Sequence, residues 1–198
     1  CCPIPAGSTT WKDCGTIVYR AWFSSPGKDR LTFELMRLLL ISVGRRMPTW
    51  VNEGFADYAK RLRGSARLEL LEVEPGKRSQ KTDVEQLVRE EGERLLSVAP
   101  PDHRLVALDI MGKQFSSENL AQKLGNWIDH AQDVALLVGG ADGLSAQVLE
   151  QTDECWSLSR FTLAHSLVRV VIAEQLYRAH SIVMGLPYHR NRRPTKRI

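Results

Sequence analysis

The sequence predicts an α/β domain with an open, mainly parallel sheet and helices on both faces. From Met36 onward, short apolar segments alternate with longer segments of helical periodicity. The connections between the apolar segments are too long for hairpins, so successive strands are expected to be parallel. The segment VALLVGG is apolar throughout, which is typical of a central parallel strand covered on both faces.

The first half of this domain contains two predicted strands and two predicted helices. RLLLISVG is a buried-strand pattern closed by a glycine, and residues 68–73 (LELLEV) form the second strand. Between them, apolar residues at helical spacing follow Pro48, which the first turn of a helix tolerates. These residues are Val51, Phe55, Tyr58, Ala59 and Leu62. Thr82 and Glu85 have the spacing of a capping box, which predicts the start of the next helix.

The second half continues the alternation. Residues 105–110 (LVALDI) form the third strand, followed by a loop with Gly112 and Lys113. A helix with one apolar side then precedes the fourth strand, and a short helix begins near Ser145. The apolar side consists of Leu120, Leu124, Trp127 and Ile128. A strand-like segment at Cys155 and a long apolar helix near His165 complete the predicted elements.

Composition and charge are those of an ordinary globular protein. The chain has 198 residues, of which 43% are hydrophobic and 25% charged, with a net charge of +4. No apolar run approaches the length of a transmembrane helix. Three of the four cysteines, Cys1, Cys2 and Cys14, precede the domain and leave Cys155 alone within it. This distribution favours a reducing, cytoplasmic setting and predicts neither a disulfide framework nor a metal site.

Three segments are predicted along the chain. Residues 1–35 mix Cys, Pro, Gly and aromatic residues without sustained periodicity, and they lack the order of a signal peptide. We hypothesise that Met36 is the true start and that these residues are an N-terminal extension. Residues 36–189 form the domain, and residues 190–198 form a basic tail.

Three loops are expected to form a ligand site, because ligands of open parallel sheets bind beyond the carboxyl ends of the strands. These loops follow Leu108, follow Val138, and span residues 158–164. Gly139, Gly140 and Gly143 would let the backbone approach a bulky ligand. Their GGxxG spacing differs from the GxGxxG of dinucleotide folds, and a tight strand-to-helix turn explains it equally well.

The last long helix carries polar residues within an apolar sequence. His165 is interpreted either as a capping or surface residue or as part of a site. Arg169 has no carboxylate four residues away on its helix, so we expect it to contact RNA phosphate or substrate. Glu174 and Arg178 have the spacing of an internal ion pair.

The chain closes on Tyr188 and His189, followed by five cationic residues. A basic tail is usually a solvated end. Directly after an aromatic residue and a histidine, it also suits contact with a nucleic-acid backbone, with the ring available for base stacking.

Four segments together resemble the RlmH (YbeA) family of bacterial SPOUT methyltransferases. They are LVALDIMGK, LLVGGADGL, SLSRFTLAHSLVRVVIAEQLYRAHSI and PYH. The resemblance implies a homodimer with a deep trefoil knot in the C-terminal part of the sheet. It also implies a cytoplasmic enzyme that uses S-adenosylmethionine to methylate N3 of a pseudouridine in 23S ribosomal RNA on assembled ribosomes.

The resemblance also assigns residues. It implies cofactor contacts at Leu108, Gly139, Leu158, Ser159, Arg160, Phe161, Thr162 and Leu163. His165, Arg169, Tyr188 and His189 match positions that the family places near the substrate base. His189 is the first choice for the base that removes the N3 proton, His165 is the second, and water is a third route. Ala164 departs from the proline that many members have there.

Two other classes of function remain open from the residues alone. A non-enzymatic ribosome-binding or assembly factor would share the fold and the basic tail but would have no reason to bind S-adenosylmethionine. A nucleotide-binding protein with GGADG as a phosphate cradle is disfavoured, because no Lys-Ser/Thr pair follows the glycines.

Overall fold

The structure of the chain is a computed structural model that describes residues 35–78 and 83–189. The predicted extension, apart from its last residue, the Thr82 cap and the basic tail lie outside the described residues. The strands are β1 (Met36–Val43), β2 (Ala66–Val73), β3 (Arg104–Lys113), β4 (Val134–Val138) and β5 (Glu154–Trp156). The helices are α1 (Thr49–Ala59), α2 (Val84–Val98), α3 (Ser117–Asp129), α4 (Ala146–Gln151) and α5 (His165–Val183).

The five strands form one sheet with the order β2-β1-β4-β3-β5, and every neighbouring pair is parallel. This confirms the predicted fold class of a parallel sheet. Leu40 of β1 aligns with Leu70 of β2 on one side and Leu136 of β4 on the other. All five carboxyl ends therefore meet at one edge of the sheet. The trefoil knot stays a prediction of the family resemblance.

Helices cover both faces of the sheet, as the alternating pattern predicts. Helix α5 packs between α1 and α3 on one face, where Leu38, Leu136 and Ile172 belong to the larger core. Helices α2 and α4 pack on the other face, around Ile41 and Leu137. Because β4 is buried on both faces, its uniform apolar sequence is explained by its central position.

Two local features differ from the sequence-based prediction. Strand β3 continues to Lys113, and its pairing with β5 shifts between Leu108 and Lys113, so the predicted loop is a bulge within the strand. A Cβ atom on Gly112 would lie 2.4 Å from the backbone of Trp156, so the bulge requires glycine there. The N-cap of helix α2 is Asp83, one residue after the predicted position, and its side chain accepts from the backbone N–H groups of Glu85 and Gln86.

No helix among the described residues is long and apolar enough to cross a membrane.

His180 connects the end of α5 to the loop before β2. Its side chain is buried, with the residue 2% exposed, and its Nε2 atom lies 3.1 Å from the Ser65 hydroxyl. Burial lowers the pKa of His180 below its ordinary value of 6.5. The folded chain therefore binds a proton at this ring more weakly than the unfolded chain does. The resulting contribution to stability is fully present above pH 6.5 and is lost as the pH falls below it.

We predict that His180→Gln flattens the dependence of stability on pH. Below pH 6.5, the wild-type free energy of unfolding should fall by at most about 1.4 kcal/mol per pH unit for this one proton, and the variant should lack that component. Urea unfolding at pH 7.5, 6.5 and 5.5 measures the difference. Parallel pH profiles for the two proteins would contradict the assignment.

Candidate functional site

A cavity lies at the carboxyl ends of three adjacent strands. Leu108 of β3, Val138 of β4 and Trp156 of β5 form its floor, and it encloses about 580 Å³. Three segments form the walls of the cavity: the β3 bulge, the glycine loop after β4, and the segment between β5 and α5. Parallel strands direct all three to the same edge, which is where the sequence predicted a site.

The glycine loop, residues 139–143, forms one wall of the cavity. A Cβ atom on Gly139 would lie 2.2 Å from the carbonyl oxygen of Gly143, and one on Gly140 would lie 2.3 Å from Oε2 of Glu91. Gly143 has a φ of +90°, which favours glycine. Ser145 then caps α4 by accepting from the Val148 N–H. The loop is thus a tight turn that also presents the bare main chain of Gly139, Gly140 and Gly143 to the cavity, so the two interpretations of GGxxG are compatible.

The segment between β5 and α5, residues 157–164, forms the opposite wall. The Ser157 hydroxyl donates to the Ser159 carbonyl at 3.0 Å, and the Phe161 N–H donates to the Ser159 hydroxyl at 2.9 Å. These bonds shape a polar turn that leaves Phe161 83% exposed at the edge of the cavity.

Most of the residues assigned to cofactor binding line this one cavity. They are Leu108, Gly139, Leu158, Ser159, Phe161, Thr162 and Leu163. Arg160 is exposed and does not line it. The structure therefore brings three segments that are distant in sequence into one place, and their role in binding a cofactor stays a prediction.

His165 also lines the cavity, at the first position of α5. The residue before it, Ala164, is the N-cap and makes no side-chain cap bond, so His165 is not a capping residue. Its Nε2 atom is buried without a hydrogen bond of normal geometry and lies 3.3 Å from where a Cβ of Gly44 would stand. Burial, and after it the charge of Arg169, lower the pKa of His165, so the ring is neutral at physiological pH.

Arg169 does not have the role that its sequence context suggested. The sequence analysis expected it to contact RNA phosphate or substrate, but its anionic partner is a carboxylate on a strand of the same chain. The residue is 0% exposed, and its Nη1 atom donates to Glu72 of β2 at 2.5 Å. Its Nη2 atom donates to the Gly44 carbonyl at 2.6 Å, and Nε donates to the Ser42 hydroxyl at 3.2 Å. The guanidinium is thus inside the fold, where it is not available to RNA phosphate.

Tyr188 and His189 lie apart from the cavity within the described chain. The Tyr188 hydroxyl donates to Glu174 at 3.0 Å, and Glu174 also pairs with Arg178, which confirms the predicted pair within the helix. Burial raises the pKa of Tyr188. His189 lies 3.3 Å from a carboxylate oxygen of Glu118, in the first turn of α3.

Several residues at this site were missed by the sequence analysis. Asp109 and Asp142 line the cavity, and Asp142 pairs with Arg78 at 2.6 Å. Glu91 of α2 lies directly behind Gly140. The only signal for Glu91 in the sequence is its position between Leu87 and Leu95, on the apolar face of the helix. Nothing in the sequence indicates which loop its side chain faces.

Among residues 35–78 and 83–189, no group of three or more His, Cys, Asp or Glu residues is placed to hold a metal ion. Cys155 is a free thiol there, and burial followed by the charge of Asp109 raises its pKa.

Comparison with known proteins shows the family of this chain. Residues 36–189 match the family model described as "Predicted SPOUT methyltransferase". The chain is 47% identical over 155 residues to the ribosomal RNA large subunit methyltransferase H of Methylococcus capsulatus, covering 78% of this chain and 100% of the relative. The corresponding proteins of Pseudomonas putida (48%, with 78% and 100% covered) and Xanthomonas oryzae (46%, with 78% and 99% covered) are similar to the same extent.

These similarities extend over essentially the whole of each relative. The chain belongs to the SPOUT methyltransferases and, within them, to the family of ribosomal RNA large subunit methyltransferase H.

Two solved structures are similar to this chain at much lower identity. A probable methylase family protein from Haemophilus influenzae is 17% identical, with a TM-score of 0.44, covering 83% of this chain and 73% of that one. A tRNA methyltransferase from Aquifex aeolicus is 13% identical, with a TM-score of 0.46, covering 81% and 77%.

We predict that Arg169→Met destabilises the fold by about 2–3 kcal/mol. Removing one partner of a buried ion pair typically costs more, but the Glu72 side chain is 34% exposed and water would solvate it. Denaturant unfolding measures the loss. Arg67→Met is the matched control, because its ion pair with Glu69 is on the surface and should contribute about 0.5 kcal/mol or less. An Arg169 variant as stable as this control would show that the buried contacts are dispensable.

Proposed function

We propose that the chain binds S-adenosylmethionine in the cavity at the strand ends and methylates N3 of a pseudouridine in 23S ribosomal RNA on assembled ribosomes. The observation that carries the proposal is the convergence of the β3 bulge, the glycine loop and residues 157–164 on one cavity. The similarity to proteins named ribosomal RNA large subunit methyltransferase H supports the choice of substrate. A cytoplasmic location follows from a ribosomal substrate.

The residues present fit this cofactor. Gly139 and Gly140 both line the cavity and present only main chain to a ligand, while the positions where their Cβ atoms would stand are filled by the Gly143 carbonyl and by Glu91. Leu108, Val138 and Trp156 offer an apolar floor, and Ser159 and Thr162 add hydroxyl groups at the rim. Asp109 brings negative charge to the lining, which suits a cationic ligand, whereas Asp142 is paired with Arg78.

When bound, the cofactor would supply a methyl group on a positively charged sulfonium, open to in-line displacement by a nitrogen. The enzyme must align that nitrogen and remove its proton. His189 of the partner subunit is our first choice for the base. His165 is the alternative within the same chain, because its lowered pKa keeps the ring unprotonated and able to accept. Loss of the proton to water is the third route.

We propose that the active enzyme is a homodimer. Within one chain, the cavity and the pair Tyr188 and His189 are on different parts of the surface, with His189 next to Glu118 of α3. A second subunit would bring Tyr188, His189 and the basic tail to the cavity of the first. The tail would then contact RNA phosphates, which predicts an affinity that falls as salt rises.

The reaction is tested by incubating the full chain with S-adenosylmethionine and ribosomes from a strain that lacks the activity. We expect one methyl group on one pseudouridine of the large-subunit RNA, identified by mass spectrometry of the digested nucleosides. Methyl transfer to a different RNA would show that the proposed substrate is wrong and that the enzyme modifies that RNA. A chain that neither transfers a methyl group nor binds the cofactor would favour a non-enzymatic ribosome-binding role.

We predict that two inactive variants restore activity when combined in one dimer. Gly139→Ala should disable the cavity, because the new Cβ collides with the Gly143 carbonyl, and His189→Ala should remove the base. A mixed dimer purified through two different tags has one complete site if the partner supplies His189, so about half of the wild-type activity should return. No recovery would place both functions in the same chain, and a fully active His189→Ala homodimer would exclude His189 as the base.

A further inference from the structure

Glu91 is a buried carboxylate with an unsatisfied oxygen behind the glycine loop. The residue is 2% exposed and is surrounded by the fold on the α2 side of the sheet. Its Oε1 atom accepts from the Gly76 N–H at 2.8 Å. Its Oε2 atom has no hydrogen-bond partner and points to Gly140, where a Cβ atom would be only 2.3 Å away. A buried polar oxygen without a hydrogen-bond partner is costly, so Oε2 is expected to have a role in the site in front of it.

The cavity is on the other side of Gly140, so only the thickness of one glycine separates it from Glu91. No cation among the described residues forms an ion pair with Glu91, whereas Asp142 is paired with Arg78 and Glu72 is paired with Arg169. The field of Glu91 is therefore not neutralised locally. Because Gly140 lines the cavity, the Glu91 carboxylate lies directly behind that lining.

We propose that Glu91 is a specificity-determining residue that makes the cavity favour a positively charged methyl donor over its uncharged thioether product. The proposal rests on S-adenosylmethionine being the ligand of this cavity. The donor carries one more positive charge than the product, and the two are otherwise nearly the same shape. An unpaired negative charge behind the glycine loop would therefore stabilise the donor selectively and promote exchange of product for donor after each turnover.

Glycine at position 140 is part of this arrangement. Any side chain there would push Oε2 away from the loop and fill the space through which the charge acts. Gly92 also allows α2 to pack close to the segment after the glycine loop, because a Cβ atom on it would lie 2.3 Å from the Ser145 hydroxyl that caps α4. Glu91 and Gly92 thus hold α2 close against the glycine loop from behind.

The test is calorimetric titration of S-adenosylmethionine and of S-adenosylhomocysteine into the wild type and Glu91→Gln. Glutamine has the size of glutamate and can still accept from the Gly76 N–H, so it removes the charge alone. A single charge within several Å, at an effective dielectric constant of about 20, changes an equilibrium by roughly tenfold or more. We expect the variant to bind the donor about tenfold more weakly and the product within about twofold of wild type.

Glu93→Gln is the matched control, because it removes the same charge from an exposed position on the same helix and should alter neither affinity. Equal weakening of donor and product in Glu91→Gln would mean a merely structural role and would overturn the proposal, as would no change in either. A wild-type protein that binds neither ligand would contradict the proposed function itself. If Glu91→Gln does not fold, the second probe is sinefungin, which has an amine in place of the sulfonium. The wild type should bind sinefungin more tightly than it binds the neutral product. Equal or weaker binding of sinefungin would contradict the proposal.

Discussion

The buried guanidinium of Arg169 determines where the last helix begins, and the shape of the cavity depends on that position. Its three nitrogen atoms bind Ser42 at the end of β1, the Gly44 carbonyl just beyond it, and Glu72 near the end of β2. The first turns of α5 are thereby fixed at the carboxyl edge of the sheet. Since residues 157–164 run from the end of β5 to this helix, both ends of that wall are held. A buried ion pair contributes little net stability, so we interpret this one as a device for placement.

The glycine loop is held in a comparable way from the opposite face of the sheet. Glu91 accepts from the Gly76 N–H and faces Gly140, while Arg78 pairs with Asp142 of the loop. The segment after β2 therefore supports the loop after β4, although β1 lies between those strands in the sheet. One wall of the cavity depends on α5 and the other on α2, so the cavity requires helices packed on both faces. This is a physical reason for a covered parallel sheet in place of a half-exposed antiparallel one.

The sequence predicted those features that depend on local pattern or on general rules of topology. The alternation of strands and helices, the apolar faces of α1 and α3, and the location of a site at the carboxyl ends all follow from periodicity and parallel pairing. Contacts between distant segments did not follow. Arg169 and Glu72 are 97 residues apart, so a search for partners within one helix missed their ion pair. The β3 bulge was missed for the same reason. Glycine is required at position 112 because the backbone of Trp156, which is distant in sequence, packs against it.

His165 is separated from Tyr188 and His189 within one chain. Which histidine acts as the base therefore also determines whether the enzyme needs a dimer. Glu174, which accepts from Tyr188, is nine residues beyond His165 on the same helix, a rise of about 13 Å. His189 lies next to α3 and is held near Glu118. A base at His165 would need only one chain, because the ring already lines the cavity. A base at His189 requires a second subunit whose C-terminal end crosses to the first. A mixed dimer of Gly139→Ala and His189→Ala chains therefore tests the base and the assembly together.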